Sequence, residues 1–424
     1  MLPGSMNPGK PSAKITLTHW ILIAMVLGVL FGWLFPEPSQ DLKVLSTLFL
    51  NLIKCILVPL VFSTLVVGIA GHAEDLRAVG RLAFKSFVYF EVVTTLALGI
   101  GLLAVNLARP GDGLTLPPPS TATPAAPAAP VTFTGILEHL APKSFFAAAA
   151  ANDVLQVVVF AILFGVSLAQ VPGQHRVTML AFFESLTEVM FKFTALVMKC
   201  APIGIGAAMA VTVGHGGLDV LKNLARLILT LYGALAVFSV LVLLPAALWA
   251  RVPVGRFLRL LKEPIILAFT TTSSDAAMPD AMKRLVSFGV PKRIVSFVMP
   301  MGYSFNLDGS TLYLAIASVF VAQAAKVELS IGQQLVMMLT LMLTSKGMAG
   351  IPRASQVILA GTLVSFGLPL EGVLLIMGVD ELMDMARTTV NLVGNCLATT
   401  VMARWEGCLE IQSEQQIEAA IRQG

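Results

Sequence analysis

Long apolar runs separated by short polar breaks set the pattern of this chain. Leu17 to Phe35 is apolar and ends in PEPSQ, a length that matches the roughly 20 residues needed to cross a hydrocarbon core. The residues before it, MLPGSMNPGKPSAK, are polar and rich in helix breakers, and no small-residue cleavage site follows the run, so it reads as a first membrane helix rather than a removed signal. Further apolar runs cover about 43–71, 83–107, 153–171, 177–213 and 221–250, several long enough to tilt or to contain a break. The sequence thus predicts about six membrane helices before residue 251. Between the third and fourth lies GDGLTLPPPSTATPAAPAAP, 111–130, whose composition predicts an extended, exposed linker.

Past residue 250 the pattern changes. PIILAFTTTSSDAAMPDAMKRL, 264–285, is an apolar half too short to cross, then hydroxyls, then a proline-interrupted half, which makes it a re-entrant hairpin candidate. A second broken segment begins near Gln334 and carries its break at Ser345 to Ser355. Each is followed by a helix with polar interruptions, MGYSFNLDGST after the first and DMARTTVNLVGN after the second. Two corresponding halves with broken helices point to a binding site near the membrane midplane. The chain divides on this reading into 1–250 (six N-terminal helices), 251–406 (a core of two broken segments, each followed by a polar-interrupted helix) and a polar tail, 407–424, read as a short surface helix that is solvated rather than docked.

Composition agrees with a membrane setting: 56% of the 424 residues are hydrophobic, 12% are charged and the mean hydropathy is +0.85. Membrane lipid is the expected surrounding. A net charge of +4 fits Lys and Arg gathered in connecting segments, and no basic run interleaved with aromatics suggests nucleic acid. Cys55, Cys200, Cys396 and Cys408 lie far apart, giving neither a disulfide framework nor a metal-ligand spacing, and the scattered histidines carry no role. No organic cofactor is expected.

The chemistry lies in groups that are expensive at membrane depth. Asp380, Asp384, Arg387, Asn391 and Asn395 interrupt an otherwise apolar run, and such groups by default face a solute or ion site. Broken helices leave backbone amides and carbonyls without intrahelical partners, so their ends can attract a carboxylate or cage a cation. In NLDGS, Asn306 and Asp308 supply oxygens, and Gly309 is expected to loosen the helix where carbonyls become available. Hard cations such as sodium favour that oxygen environment.

The stretch from about 264 to 403 resembles the dicarboxylate/amino acid:cation symporters, the prokaryotic homologues of glutamate transporters. The motifs that carry the resemblance are the serine-rich tip at Ser273 and Ser274, GYSFNLDGS at 302–310, SKGMAGIP at 345–352 and DMARTTVNLVGN at 384–395. The resemblance implies an all-α integral membrane fold of eight transmembrane helices and two re-entrant hairpins in inverted repeats. It also implies a homotrimer with an elevator-type cycle, in a bacterial or archaeal cytoplasmic membrane. By the same resemblance Arg387 clasps the substrate's side-chain carboxylate, a task suited to a planar, permanently charged fork. Ser310 supports that carboxylate, Asp384 takes the α-ammonium, Asn391 with Ser273 and Ser274 holds the α-carboxylate, and Thr388 adds a hydroxyl. The second tip, including Gly350, is the implied lid. For sodium, carbonyls of Gly302, Asn306 and Asn391 form one implied site, completed at the position of Asn395. Ser304 with Ser345, Lys346 and Met348 forms a second, and Asp308 with Asn306 and Tyr89 part of a third.

Asp384 bears on substrate class, because the C4-dicarboxylate carriers of the family lack this carboxylate and a dicarboxylate has no ammonium to pair with it. L-Aspartate or L-glutamate is therefore the expected substrate, with succinate, fumarate or malate as the alternative. Asn395 stands where sodium-coupled members have an aspartate, which lowers the charge there and weakens the case for sodium. Glu91, in the third helix, is a proton-carrier candidate because burial favours the neutral form of an acid; a fixed ion pair or a polar crevice is the other reading. Leu314 stands where animal relatives carry a glutamate linked to potassium coupling, so potassium counter-transport is not expected. Asp275 and Arg353, one in each tip, form a candidate gate, or else are two solvated charges of small worth. A channel is disfavoured by two closed tips around one arginine, and an enzyme by the lack of a nucleophile with a positioned base.

Overall fold

The computed structural model describes residues 17–71, 80–114, 116, 142–345 and 354–412, excepting the side chains of Thr18, Val154, Leu155, Asp275, Ser304 and Ala354. Among the described residues every regular element is helical. The first seven main helices are α1 (Leu17–Leu34), α2 (Lys43–Gly71), α3 (Arg81–Ala108), α4 (Val154–Gln170), α5 (Gln174–Met198), α6 (Ala201–Gly216) and α7 (Asp219–Phe238). They follow the predicted apolar runs to within a few residues. The run at 177–213 is two helices rather than one: α5 and α6 meet at a 50° bend, and Pro202 enters the first turn of α6, where its missing N–H is not needed. Helix α7 continues through a π-helical turn, Ser239–Leu243, into Leu244–Trp249.

By length and composition, Pro36–Gly71, Arg81–Ala108, Asp219–Trp249 and Lys292–Ala324 can each cross a membrane, and the bent pair α5 and α6 makes a fifth. Large apolar side chains such as Trp20, Leu27, Phe84, Leu107, Leu229 and Leu241 stand exposed on the outside, as a lipid-facing surface requires. Helices α1 and α6 pack backbone to backbone. A Cβ at Gly28 falls 2.2 Å from the Gly206 carbonyl oxygen, and one at Gly32 falls 2.3 Å from that of Ala210. Glycines one turn apart permit this approach, the small-residue packing that replaces hydrophobic drive in lipid.

The second half holds α8 (Lys262–Thr271), α9 (Ser274–Phe288), α10 (Lys292–Phe305), α11 (Asp308–Ala324), α12 (Ile331–Thr344), α13 (Ala354–Ser365) and α14 (Glu371–Trp405). Helices α8 and α9 form a hairpin that turns at Thr272, whose φ of +50° is the left-handed conformation that ends a helix. The Ser273 hydroxyl accepts from the Ala276 N–H and so caps α9. Helices α12 and α13 are the arms of the second broken segment, and its tip, 346–353, lies outside the described residues. Helix α14 runs through the middle, packed against both arms of the first hairpin and against α10 and α11.

Two expectations are corrected. The break in NLDGS falls at Asn306 and Leu307, which leave helical geometry, while Gly309 sits inside the first turn of α11. Gly309 is there for closeness rather than loosening, since a Cβ on it falls 2.4 Å from the Arg387 carbonyl oxygen. The start of the tail, to Gln412, carries no regular element and is docked rather than helical and solvated. Glu410 donates its N–H to the Gly289 carbonyl at 3.3 Å, Gln412 donates to that of Phe288 at 3.1 Å, and Leu409 is buried.

Candidate functional site

The polar residues of α14 recur at intervals of four and three, Asp380, Asp384, Arg387, Asn391 and Asn395, which places them on one stripe of the helix. That stripe faces the break between α10 and α11. Arg387 is 1% exposed, the largest fully buried side chain among the described residues. Its Nη1 donates to Asp380 Oδ1 at 2.8 Å, its Nη2 to Asp380 Oδ2 at 3.2 Å, and its Nε to Asp384 Oδ1 at 2.8 Å. The guanidinium carbon lies 4.3 Å from the ring centroid of Tyr313, so one face of the cation rests on an aromatic surface. Thr388 donates to Asp384 Oδ1 at 2.8 Å, and Gln356 of α13 donates to Asp380 Oδ2 at 2.6 Å. One cation with two carboxylates leaves this cluster with a formal charge of −1.

One turn further along, Asn391 ties α14 to the start of α11. Its Oδ1 accepts from the N–H groups of Gly309 at 2.8 Å and Ser310 at 3.3 Å, satisfying donors that a helix N-terminus leaves open. Its Nδ2 donates to the Ser310 hydroxyl at 2.9 Å. Below this, Asn306 Nδ2 donates to Asp308 Oδ2 at 3.0 Å and to Asn395 Oδ1 at 3.2 Å. Asp308 opens α11, where the helix dipole favours a carboxylate, and Gly394 leaves room for it. Asn306 Oδ1 is buried without a hydrogen-bond partner among the described residues, as is the Tyr89 hydroxyl of α3. Buried oxygens of this kind are the donor set an unsolvated hard cation needs.

The structure therefore brings together Arg387, Asp384, Thr388, Asn391 and Ser310 in one hydrogen-bonded group, and Asn306, Asp308 and Asn395 in another beside it. Gly302 backs the second group: its carbonyl accepts from the Asn306 N–H at 2.7 Å, and a Cβ on it falls 2.5 Å from Asn395 Oδ1. Ser274 is buried at the start of α9, and Ser273 is occupied in capping it. Ser345 is buried at the end of α12, its hydroxyl turned to the Met342 carbonyl. Glu91 is half-buried on α3, a helix that packs against α11. The side chains of Ser304 and Asp275, and residues Lys346, Met348, Gly350 and Arg353, lie outside the described residues.

Three members of the arginine cluster have no assigned role in the sequence reading. Asp380 is visible there only as an intramembrane charge; its spacing of seven from Arg387, two helical turns, is the signal that pairs them. Tyr313 follows Ser310 by three and so shares its face of α11. Gln356 stands out only as an amide in an apolar arm.

A chain whose described regular elements are all helices, with lipid-facing sides, a broken central helix pair and a buried, carboxylate-gripped arginine, defines a polytopic membrane transporter. It belongs to the sodium:dicarboxylate symporter family, whose pattern matches residues 17–405. It is similar to the proton/glutamate-aspartate symporter of Escherichia coli K12, at 42% identity with 93% of each chain covered. It is also similar to the proton/sodium-glutamate symport protein of Geobacillus stearothermophilus, at 38% identity over 97% of this chain and 99% of the relative. A C4-dicarboxylate transport protein of Rhizobium leguminosarum is 42% identical over 95% of this chain and 92% of its own length.

Proposed function

We propose that the chain is a secondary active symporter that takes up L-aspartate or L-glutamate, coupled to inward flow of protons, sodium or both. The observation that carries this reading is Asp384, 19% exposed at its side chain and 2.8 Å from Arg387 Nε. An entering acidic amino acid presents a carboxylate for Arg387 and an ammonium that can take over Asp384. A dicarboxylate brings no ammonium, and the cluster's charge of −1 repels its second carboxylate in a poorly solvated site. Relatives of both substrate classes stand at 42% identity, so it is this residue, not similarity, that supports the choice.

In this reading Ser310 and Thr388 line the substrate, Asn391 and the Ser273 and Ser274 tip hold the α-carboxylate, and the second tip, with Gly350, closes over it. Asn306, Asp308 and Tyr89 offer cation oxygens, with Gly302 and Asn395 at a neighbouring site and Ser304, Ser345 and Met348 at another. Glu91 is the candidate proton carrier, and Asp275 with Arg353 the candidate gate. We further read residues 1–250 as scaffold helices plus part of the moving core, and residues 251–406 as the rest of that core. The whole is eight spans with two re-entrant hairpins in an elevator-type homotrimer of the cytoplasmic membrane.

The test is radiolabelled L-aspartate uptake into proteoliposomes under a sodium gradient or an inward proton gradient alone, with excess succinate as competitor. Uptake driven by protons without sodium supports Glu91 as carrier and Asn395 as a weakened sodium site. Succinate uptake that outruns aspartate uptake overturns the role of Asp384 and favours the C4-dicarboxylate reading.

A further inference from the structure

Gln356 lies on α13, the second arm of the second hairpin, shortly after its tip, and is 4% exposed. Its neighbours along the arm, Val357, Ile358 and Leu359, are buried and apolar, so packing alone gives no reason for an amide here. Its Nε2 lies 2.6 Å from Asp380 Oδ2. An ionised carboxylate only accepts, so this contact fixes which end of the amide faces it. The other end, Oε1, is then left buried without a hydrogen-bond partner among the described residues. A buried amide with one end unsatisfied carries a desolvation penalty, which the bond to Asp380 accounts for.

Asp380 is the residue that grips Arg387 by both oxygens. Its Oδ2 thus accepts from the hairpin and from the guanidinium at once, and the two donors lie on different elements. We infer that Gln356 is a positioning residue that links the second hairpin to the substrate-clasping arginine through Asp380, so that seating of the hairpin arm and presentation of Arg387 form one step. This rests on the transport reading for its functional half; the hydrogen bond itself stands apart from it. The charged groups around the position are Asp380, Arg387 and Asp384 on α14, with Tyr313 of α11 over the guanidinium.

The experiment uses Gln356→Met, which keeps the volume and removes the donor, and Gln356→Glu, which donates only when protonated. For the full-length protein in detergent, the melting temperature of each variant is compared with that of the parent at the same pH, from pH 8 down to 5. The aspartate KM and maximal uptake rate are then measured in proteoliposomes. We expect Gln356→Met to raise the KM about tenfold, the size expected for one hydrogen bond to a charged group, at every pH. Gln356→Glu behaves worse than Met at pH 8, where two carboxylates face each other, and regains the parent's melting temperature and KM as the pH falls. Equal melting and KM ratios for the two variants across the range, or a parent-like KM for Gln356→Met, overturn the inference. If the parent protein takes up no aspartate, it is the proposed function that fails, and the melting comparison alone then decides the link to Asp380.

Discussion

Asp380 and Arg387, two turns apart on α14, are joined by a two-pronged ion pair at 2.8 and 3.2 Å with both residues 1% exposed. A guanidinium carries five N–H groups. Asp380 takes two of them and Asp384 takes Nε–H, leaving two that the described hydrogen bonds do not use. The fork is thus held rigid from one side and still has donors for an incoming carboxylate.

Removing Asp380 leaves the buried guanidinium with Asp384 alone. Asp380→Ala is expected to destabilise the protein by about 3–5 kcal/mol, the usual cost of stranding one partner of a buried pair. Arg387→Ala is expected to cost a similar amount by leaving two carboxylates facing each other. Denaturant or thermal unfolding in detergent reads both losses, and a drop below about 1 kcal/mol for either contradicts the ion-pair account.

Replacing Asp384 by Thr removes the proposed ammonium partner and the excess negative charge together. Aspartate uptake is expected to fall at least tenfold while succinate becomes the better competitor, a shift in relative affinity worth about 1.4 kcal/mol or more. Competition curves for the two acids on parent and variant provide the measurement. Unchanged relative affinities mean that the carboxylate does not set substrate class.

Gly309→Ala forces a methyl into a space where the Arg387 carbonyl oxygen is 2.4 Å away. The expected cost is about 1–3 kcal/mol of stability, with uptake lost. Gly233→Ala in α7 is the matched control, because nothing lies within 4 Å of its added Cβ. That substitution is expected to raise stability by about 0.5–1 kcal/mol, the helix preference for Ala over Gly. Melting temperatures moving in the same direction in the two variants would falsify the close-approach argument.

Glu406, just past the end of α14, accepts from Lys85 Nζ at 2.6 Å, and that bond, with Lys85, Arg81 and Arg293 nearby, holds its carboxyl below the usual carboxylate range against a smaller opposing effect of burial. A depressed acid contributes stability that is present above its unfolded pKa and lost as the pH falls through the folded one. The melting temperature of Glu406→Gln is therefore expected to lie below the parent's at pH 7 and to converge with it as the solution is acidified below about pH 4. A gap that stays constant on acidification contradicts the ion-pair origin.

Much of this architecture is legible in the sequence because lipid enforces it. Apolar runs of crossing length give α2, α3 and the span Asp219–Trp249 that α7 begins to within a residue or two, and the hydroxyl break in TTTSSD gives the turn at Thr272. The polar stripe of α14 is readable because a helix repeats every three or four positions. What escapes is contact between elements distant in the chain. Nothing local to Gln356 says that it meets Asp380, nothing local to Tyr313 says that a guanidinium lies on its ring, and Gly309 looks like a turn residue until the backbone of α14 is seen against it. The docked tail escapes for the same reason, since its partners, Phe288 and Gly289, lie more than 100 residues earlier.

The touch of Gly309 on Arg387 joins the two hydrogen-bonded groups through their backbones. At that crossing, main chain meets main chain, with no side chain between them to change rotamer and take up slack. The helix that begins with Asp308 and the helix that carries the arginine are geared together like two toothed rods. Under the proposed function, a cation held beside Asp308 and an anion held at Arg387 would both bear on this one backbone contact.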